Sequence, residues 1–508
     1  MRSERKYGEW LWPTFFTIWV VLARLAVLDQ PIVENYVGRQ IPTAMVARNL
    51  ERGSGFLFPQ LDTGPFPSLF LVEPPIYQEL VLLTSSITRL PLEQAGRAIS
   101  ALATGLSAAS LFCLVRRRQA LEVSCLTVLI FGTLPVVLRY GRSFQPDSLA
   151  LGLVLAGTAC WDSWRVRGGG QRADLAWGLV AVGLAVRVLW FFSLVPVAWL
   201  IQERLHSLAG TDHKRSSLTL ALILGSMLVP AGLWYMHAAN CLHAGAQPTA
   251  VNAIVWFDAL TSGGILSLEG WQWIGRFGLV RAFSVLAVAL AACGLWKGSQ
   301  MQLWRLWALA GLATLALLGA KLHHEYYWLL VAPVVAVGAA EALSWLWMTK
   351  TSTTWRFLLG GVLLAQLGSC VYHARTTWFT PQEWTNIAQR SQKLAEFLPA
   401  QALVIGREAV IYSAERRGMR MEYAPLAIVR AFHEWGQHIT PEEANPEKLI
   451  SWYHNQGAQY YAEMSDPSGP IPTFPGIPSI VNRVLIQEPG LLLLQLTEPN
   501  HGNTDSKN

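Results

Sequence analysis

The sequence predicts an α-helical polytopic membrane domain, residues 1–375, followed by a soluble α/β domain, residues 376–508. Three observations predict it. Only 14% of the 508 residues are charged and 52% are hydrophobic, where a soluble domain carries about 25% charged residues. Apolar stretches of about 20 residues, each long enough for a hydrocarbon core of about 30 Å, recur from Trp10 to about Tyr372. From about Thr380 the pattern changes to short strand-like and helical segments. Mean hydropathy is +0.31. A net charge of +6 needs no nucleic-acid partner, because orienting Lys and Arg in cytoplasmic loops gives the same balance.

Eleven crossings are expected, at about 9–28, 97–115, 120–139, 147–163, 173–187, 189–203, 216–238, 279–296, 302–320, 326–347 and 355–373. The N-terminal stretch is too long for a signal peptide and lacks a small-residue cleavage site, so it reads as a retained span. Basic residues test the count. Arg2, Arg5 and Lys6 precede the first span, and Arg116, Arg117 and Arg118 follow the second. Further clusters follow the fourth, sixth, eighth and tenth. Eleven spans put all six clusters in the cytoplasm and the C-terminal domain outside, on the periplasmic or extracellular face of an inner (plasma) membrane. Ile76 to Leu90 is about 15 residues long and rich in polar side chains. It is expected as an interfacial or re-entrant helix on the outer face, with a full span as the alternative. Of the 23 Trp, Trp10, Trp12, Trp190, Trp304, Trp328 and Trp355 sit where apolar runs meet polar loops, as an aromatic belt would. Six Cys are scattered without disulfide or metal spacing.

The outer surface then comprises the opening loop 29–96, turns at Gly141–Gln145, near Arg187 and at Lys321–Glu325, a loop from about Ala239, and the C-terminal domain. Pro42 to Glu51 has helical patterning, with Pro42 suited to a first helical turn. In the C-terminal domain, 384–397 and 446–455 read as helices. Segments 402–405, 458–462, 484–487 and 491–496 read as strands, the last two a hairpin across Glu488-Pro489-Gly490.

Three clusters could carry chemistry, since charges at the edge of a span are costly unless used or paired. The opening loop holds Glu34, Arg39, Arg48, Asp62 and Glu73; the bland reading is a solvated loop. The second cluster is Arg139 to Ser148. Asp147 there is either a helix cap answering the dipole or a carboxylate that orients a divalent cation or a sugar. The third is Arg187, a lipid-phosphate contact or a snorkelling side chain, together with Lys321 to Tyr327. His323 and His324 are expected to point apart along one helix, which argues against zinc.

Taken in order, these segments resemble GT-C fold glycosyltransferases that use polyprenyl-phosphate sugars, in particular the dolichyl-phosphate-mannose protein mannosyltransferase family and, more distantly, the lipid A aminoarabinose transferase. The resemblance rests on Arg39-Gln40 with Thr43 to Asn49, Phe58 to Asp62, Glu73-Pro74-Pro75-Ile76-Tyr77, Ser143 to Ala150, Trp234 to His237 and His324-Glu325-Tyr326-Tyr327. It spans about residues 10–375. It implies transfer of a sugar, with inversion, from a polyprenyl-phosphate donor to a glycan, lipid or protein acceptor at the external face. A carboxylate would take the acceptor's proton and cations would stabilise the leaving phosphate. Residue by residue, it implies Asp147 as an acidic site residue and Glu73 as the loop carboxylate near the sugar. It implies Arg187 as the phosphate contact in place of the usual Lys, and His324 and Tyr326 as pocket-lining residues. Arg39, Gln40, Asp62, Tyr77 and Arg142 are further candidates for substrate binding. A divalent cation is compatible with this chemistry, although no ligand set for one is legible. One departure matters. Relatives carry an acidic residue two positions after the Arg-Gln pair, where this chain has Pro42. Glu34, Glu73 and Asp62 are the candidates to replace it as base, and the alternative is a catalytically silent relative that binds a lipid-linked glycan.

Overall fold

The structure is a computed structural model that describes residues 4–32, 37–209, 213–243, 267–349, 352–465 and 469–498. The chain forms two compact units. One comprises Met1–Leu28, Leu83–His237 and Val255–Phe379; the other comprises Asp29–Leu82, Ala238–Ile254 and Thr380–Asn508.

The first unit is helical. The apolar segments fall largely on helix, several of them interrupted, among them 189–203 by a kink at Trp190 and 326–347 by a change from 3-10 to α-helix after Val331. The segment 120–139 divides into Leu121–Thr133 and Pro135–Tyr140. Pro135 lacks an N–H and pushes Leu134 to an extended conformation (ψ 134°), so the second helix starts afresh with Pro at its first position. The segment 279–296 breaks at Ser284, where Ile274–Phe283 and Val285–Lys297 meet after a bend of 89° between Leu268–Phe283 and the following helix. Ser284 adopts φ +77°, caps the next helix by accepting from Ala287 N–H, and donates to Gln366 Oε1 at 2.7 Å. Among the described residues, five helices are long and apolar enough to cross a membrane, Leu92–Arg116, Val188–Leu208, Lys214–His243, Glu325–Thr349 and Thr353–His373; the bent pair makes a sixth if counted as one span. Gly170–Val186 has only 17 residues, and Asp147–Arg167 carries the buried Asp147 and Asp162.

Small residues set the helix spacing, as expected where apolar burial gives no preference for protein over lipid. Val285–Lys297 packs on Ala332–Thr349 so closely that a Cβ on Gly294 would lie 1.9 Å from the Gly338 carbonyl oxygen. A Cβ on Gly152 would lie 2.7 Å from the Ala103 carbonyl oxygen. At the end bearing the basic cluster, Asp162 binds Arg118 at 2.6 Å, Arg117 at 3.0 Å and Arg165 at 3.1 Å. The expected aromatic belt is only partly realised. Trp12 and Trp355 are exposed, but Trp190, Trp304 and Trp328 are buried. Their indoles fill the bundle interior, where a large ring gains more from packing than from lying at an interface.

The second unit is α/β. Its five strands are β1 (Leu403–Gly406), β2 (Arg417–Arg420), β3 (Tyr460–Met464), β4 (Val481–Glu488) and β5 (Leu491–Leu496), in the order β2-β1-β3-β5-β4. β1 runs parallel to β2 and β3; β5 is antiparallel to β3 and β4. The helices Gln382–Phe397 and Pro446–Asn455 and the final hairpin match the sequence expectation within a few residues. The strand β2 and the helices Glu408–Ser413 and Pro425–Glu434 were not legible. Apolar cores lie on both faces of the sheet, around Ile405, Tyr461 and Leu494 on one and Val404, Ala462 and Leu493 on the other. The alternation of strand side chains sends successive residues of β1 and β3 to opposite faces.

Residues 29–82 of the opening loop belong to this unit. The loop's helix runs Val37–Glu51, so Pro42 lies inside it rather than in its first turn. Proline there removes one helical hydrogen bond, and the surrounding burial of Arg39 to Leu50 holds the helix regardless. Gly418 N–H in β2 donates to the Asp62 carbonyl at 2.8 Å, and Gly64 N–H donates to the Gly418 carbonyl at 2.8 Å, which closes that sheet edge. The helix Ile76–Thr88 that ends the loop has 13 residues, short for a hydrocarbon core.

Candidate active site

Within the helical unit, the turn Gly141–Gln145 is held by side chains of the neighbouring helix. Ser100 donates to the Ser143 carbonyl at 2.7 Å and Thr104 to the Gly141 carbonyl at 3.0 Å. Arg24 donates to the Gly132 and Val137 carbonyls. Phe144 packs so tightly on Gly96 that a Cβ there would meet its ring at 2.4 Å. Arg142 and Gln145 are buried in this turn.

The turn delivers Asp147 to the start of Asp147–Arg167. The cap position belongs to Pro146, with no side-chain cap hydrogen bond, so the capping reading of Asp147 is corrected. Asp147 instead accepts from Arg187 Nε at 2.7 Å through Oδ1, with both side chains buried. Among the described residues its buried Oδ2 has no hydrogen-bond partner. Arg187 stands at the end of Gly170–Val186 with φ −146° and ψ 74°, outside the helical region. Its guanidinium carbon lies 5.6 Å from the Tyr326 ring centroid and 5.3 Å from that of Tyr327, a cation–π arrangement. The snorkelling reading of Arg187 is corrected by the same contacts, because its head is buried among partners. Tyr140 meets Tyr326 edge to face at 6.0 Å.

His324 stacks on Tyr326 at 5.5 Å. The His323 and His324 rings lie 4.0 Å apart, contrary to the expectation that they diverge. They sit in a turn, His324 being the extended residue before the 3-10 helix Glu325–Val331, so helical spacing does not separate them. Among the described residues no group of three or more His, Cys, Asp or Glu side chains could hold a metal ion.

Glu325 is the residue that sequence reasoning undervalued. It is fully buried, and it pairs with Arg139 at 2.5 Å and Arg281 at 2.6 Å. Arg139 also donates to the His373 carbonyl at 3.0 Å and to the Arg281 carbonyl at 2.5 Å. One node thus ties four distant segments and fixes the origin of the helix bearing Tyr326 and Tyr327. The available signal was Arg281, a charge inside an apolar stretch, which is costly unless paired.

Within the α/β unit, a nitrogen of Arg39 donates to both oxygens of Glu73, at 2.5 and 2.6 Å. Gln40 and Tyr77 are buried nearby in sequence. Asp62 is wholly engaged. Its Oδ1 accepts from Asn49 and Arg52 at 3.1 Å each, and its Oδ2 accepts from Arg48. Arg48 in turn donates to the Tyr412 carbonyl at 2.8 Å and lies over the Tyr412 ring. That saturation makes Asp62 a latch between the opening loop and the sheet domain, and leaves it no oxygen for a substrate. Glu34 lies outside the described residues.

The structure is similar to ArnT from Cupriavidus metallidurans bound to undecaprenyl phosphate, with a TM-score of 0.59, 13% identity, and 95% of this chain and 98% of that one covered. It is also similar to the oligosaccharyltransferase AglB from Archaeoglobus fulgidus in complex with an inhibitory peptide and a dolichol-phosphate (TM-score 0.53, 12% identity, 89% and 69% covered). The arabinofuranosyltransferase AftD from Mycobacteria matches at a TM-score of 0.52 and 14% identity; 96% of this chain covers 40% of that one. The chain has the GT-C fold. No protein-family model matches the sequence, and no curated protein matches it.

Proposed function

We propose that the chain is an inverting membrane glycosyltransferase that moves a sugar from a polyprenyl-phosphate donor to an acceptor hydroxyl or phosphate at the external face of the inner (plasma) membrane. The observation that carries the reading is Asp147, a buried carboxylate with one oxygen held by Arg187 and the other, among the described residues, without a hydrogen-bond partner. In a GT-C fold this pair supplies both elements the reaction needs. The acceptor oxygen attacks the anomeric carbon, the bond from that carbon to the phosphate oxygen breaks, and Asp147 Oδ2 takes the acceptor proton. Arg187, backed by Tyr326 and Tyr327, balances the charge left on the departing lipid phosphate. His324 lines the same site through Tyr326. Glu73, fixed by Arg39, is a separate candidate carboxylate on the opening loop. The bound polyprenyl phosphates of ArnT and AglB support a donor of that class.

Pro42 favours a second reading, a silent relative that binds lipid-linked glycan without turnover, since its ring cannot accept a proton. Purified protein given a polyprenyl-phosphate sugar and candidate acceptors should release polyprenyl phosphate. Tight donor binding with no release across acceptor classes would select the silent reading.

A further inference from the structure

The helix Thr353–His373 is loosely held. Only 17% of its apolar window is buried, against 72% for Glu325–Thr349. The gap between it and the helices Leu121–Thr133 and Ala332–Thr349 is a cavity of about 570 Å³, lined by Leu126, Leu343, Trp347, Met348, Leu359 and Leu363. Gly360 borders it, and a Cβ there would meet nothing within 4 Å. Apart from Glu122 and Ser344 the lining is apolar, so most of the space offers water no partner. In a bilayer it fills with hydrocarbon.

Two charges of opposite sign flank the cavity. Glu122 lines it from the first turn of Leu121–Thr133. Arg356 lies 5.5 Å over the ring of Trp347, itself a lining residue. Both are exposed, and among the described residues neither has an ion-pair partner. The same end of the bundle carries Arg116 to Arg118, two residues before the lining residue Ala120.

We propose that this cavity is a binding site for one phospholipid with an ammonium headgroup, of the phosphatidylethanolamine type. One acyl chain occupies the cavity, the ammonium meets Glu122 and the phosphate meets Arg356. An anionic headgroup would satisfy Arg356 but leave Glu122 beside negative charge. The site lies on the basic, cytoplasmic end by the positive-inside rule, so it is distinct from the Asp147 site. The inference rests on membrane insertion and not on the transfer reaction.

The lipid has a structural consequence. The far half of Thr353–His373 presents Gln366 to Ser284 and the His373 carbonyl to Arg139. Filling the gap beside Gly360 braces the helix on which that node leans.

Full-length protein, purified in mild detergent and incubated with equimolar phosphatidylethanolamine, phosphatidylglycerol and undecaprenyl phosphate, is analysed by native mass spectrometry. Wild type should retain one phosphatidylethanolamine. Gly360→Leu, which fills the cavity, should cut that retention at least tenfold. Glu122→Gln, an exposed change, should erase the preference over phosphatidylglycerol, and it carries the test if Gly360→Leu does not fold. Equal retention of phosphatidylethanolamine in wild type and both variants overturns the proposal. So does retention of undecaprenyl phosphate that Gly360→Leu abolishes, which would make the cavity a polyprenyl site.

Discussion

Replacing Asp62 separates a structural role from a substrate-binding one. Its carboxylate is fully buried and bound by Arg48, Arg52 and Asn49. The side chain of Arg52 is 44% exposed, so its share is at most about 1 kcal/mol. Arg48 is 10% exposed in its side chain, and Asp62→Ala would leave its guanidinium buried without its counter-charge, at about 3–5 kcal/mol. The Tyr412 carbonyl and ring still engage Arg48, which favours the lower end, about 3 kcal/mol. For a unit of roughly 200 residues that corresponds to roughly 6–12 °C in the unfolding midpoint. Thermal unfolding followed by fluorescence, with limited proteolysis of the 52–58 loop, reads the change. The double variant Arg48→Met with Asp62→Leu should recover most of the loss, because an apolar pair of similar volume removes both buried charges together. If Asp62→Ala abolished sugar transfer with an unchanged midpoint, the latch account would be wrong and Asp62 would belong to the reaction.

Three further outcomes follow from single residues. Burial pushes the Glu434 carboxyl up to about 7, against the pull of Arg420; its folded value thus lies above the unfolded one, so stability of the α/β unit falls as pH rises from about 4.5 through 7. The loss is at most about 3 kcal/mol, and Glu434→Gln should flatten the pH dependence of the unfolding midpoint; an unchanged slope contradicts it. Gly294→Val should destabilise the helical unit by at least about 1–3 kcal/mol, because even a Cβ would collide with the Gly338 carbonyl; a midpoint within error of wild type would show that the helices are not in backbone contact. Glu325→Gln should cost about 3–5 kcal/mol by leaving Arg139 buried without its counter-charge, and Glu325→Gln with Arg139→Met should restore the midpoint; additive losses would mean the two side chains do not interact.

Much of the architecture was legible because it rests on local patterns. Apolar runs located the helices, and alternation with turn residues located β5 and its hairpin. What escaped was set by packing across the chain. Proline at 135 is visible in the sequence, but the turn at Ser284 depends on Gln366, 82 positions away. The strand Arg417–Arg420 reads as polar surface, yet Gly418 and Met419 are buried once Asp62 and Gly64 close that edge. In the site, Asp147 and Arg187 were found individually, each through its cost at the end of a span. Their pairing across 40 positions was not, nor was the Glu325 node joining residues 139, 281 and 373. The opening loop misled, because Asp62 looks like any loop acid until Arg48, Arg52 and Asn49 are seen to saturate it.

The central claim is that Asp147 and Arg187 form one proton-accepting and phosphate-binding pair. The most direct measurement compares polyprenyl-phosphate binding and sugar transfer in wild type, Asp147→Asn and Arg187→Ala, each verified by thermal unfolding. Asp147→Asn should bind polyprenyl phosphate within about threefold of wild type yet transfer at least about 10²-fold more slowly, while Arg187→Ala should lose binding by at least tenfold. Full transfer by Asp147→Asn, or unchanged binding by folded Arg187→Ala, would contradict the account.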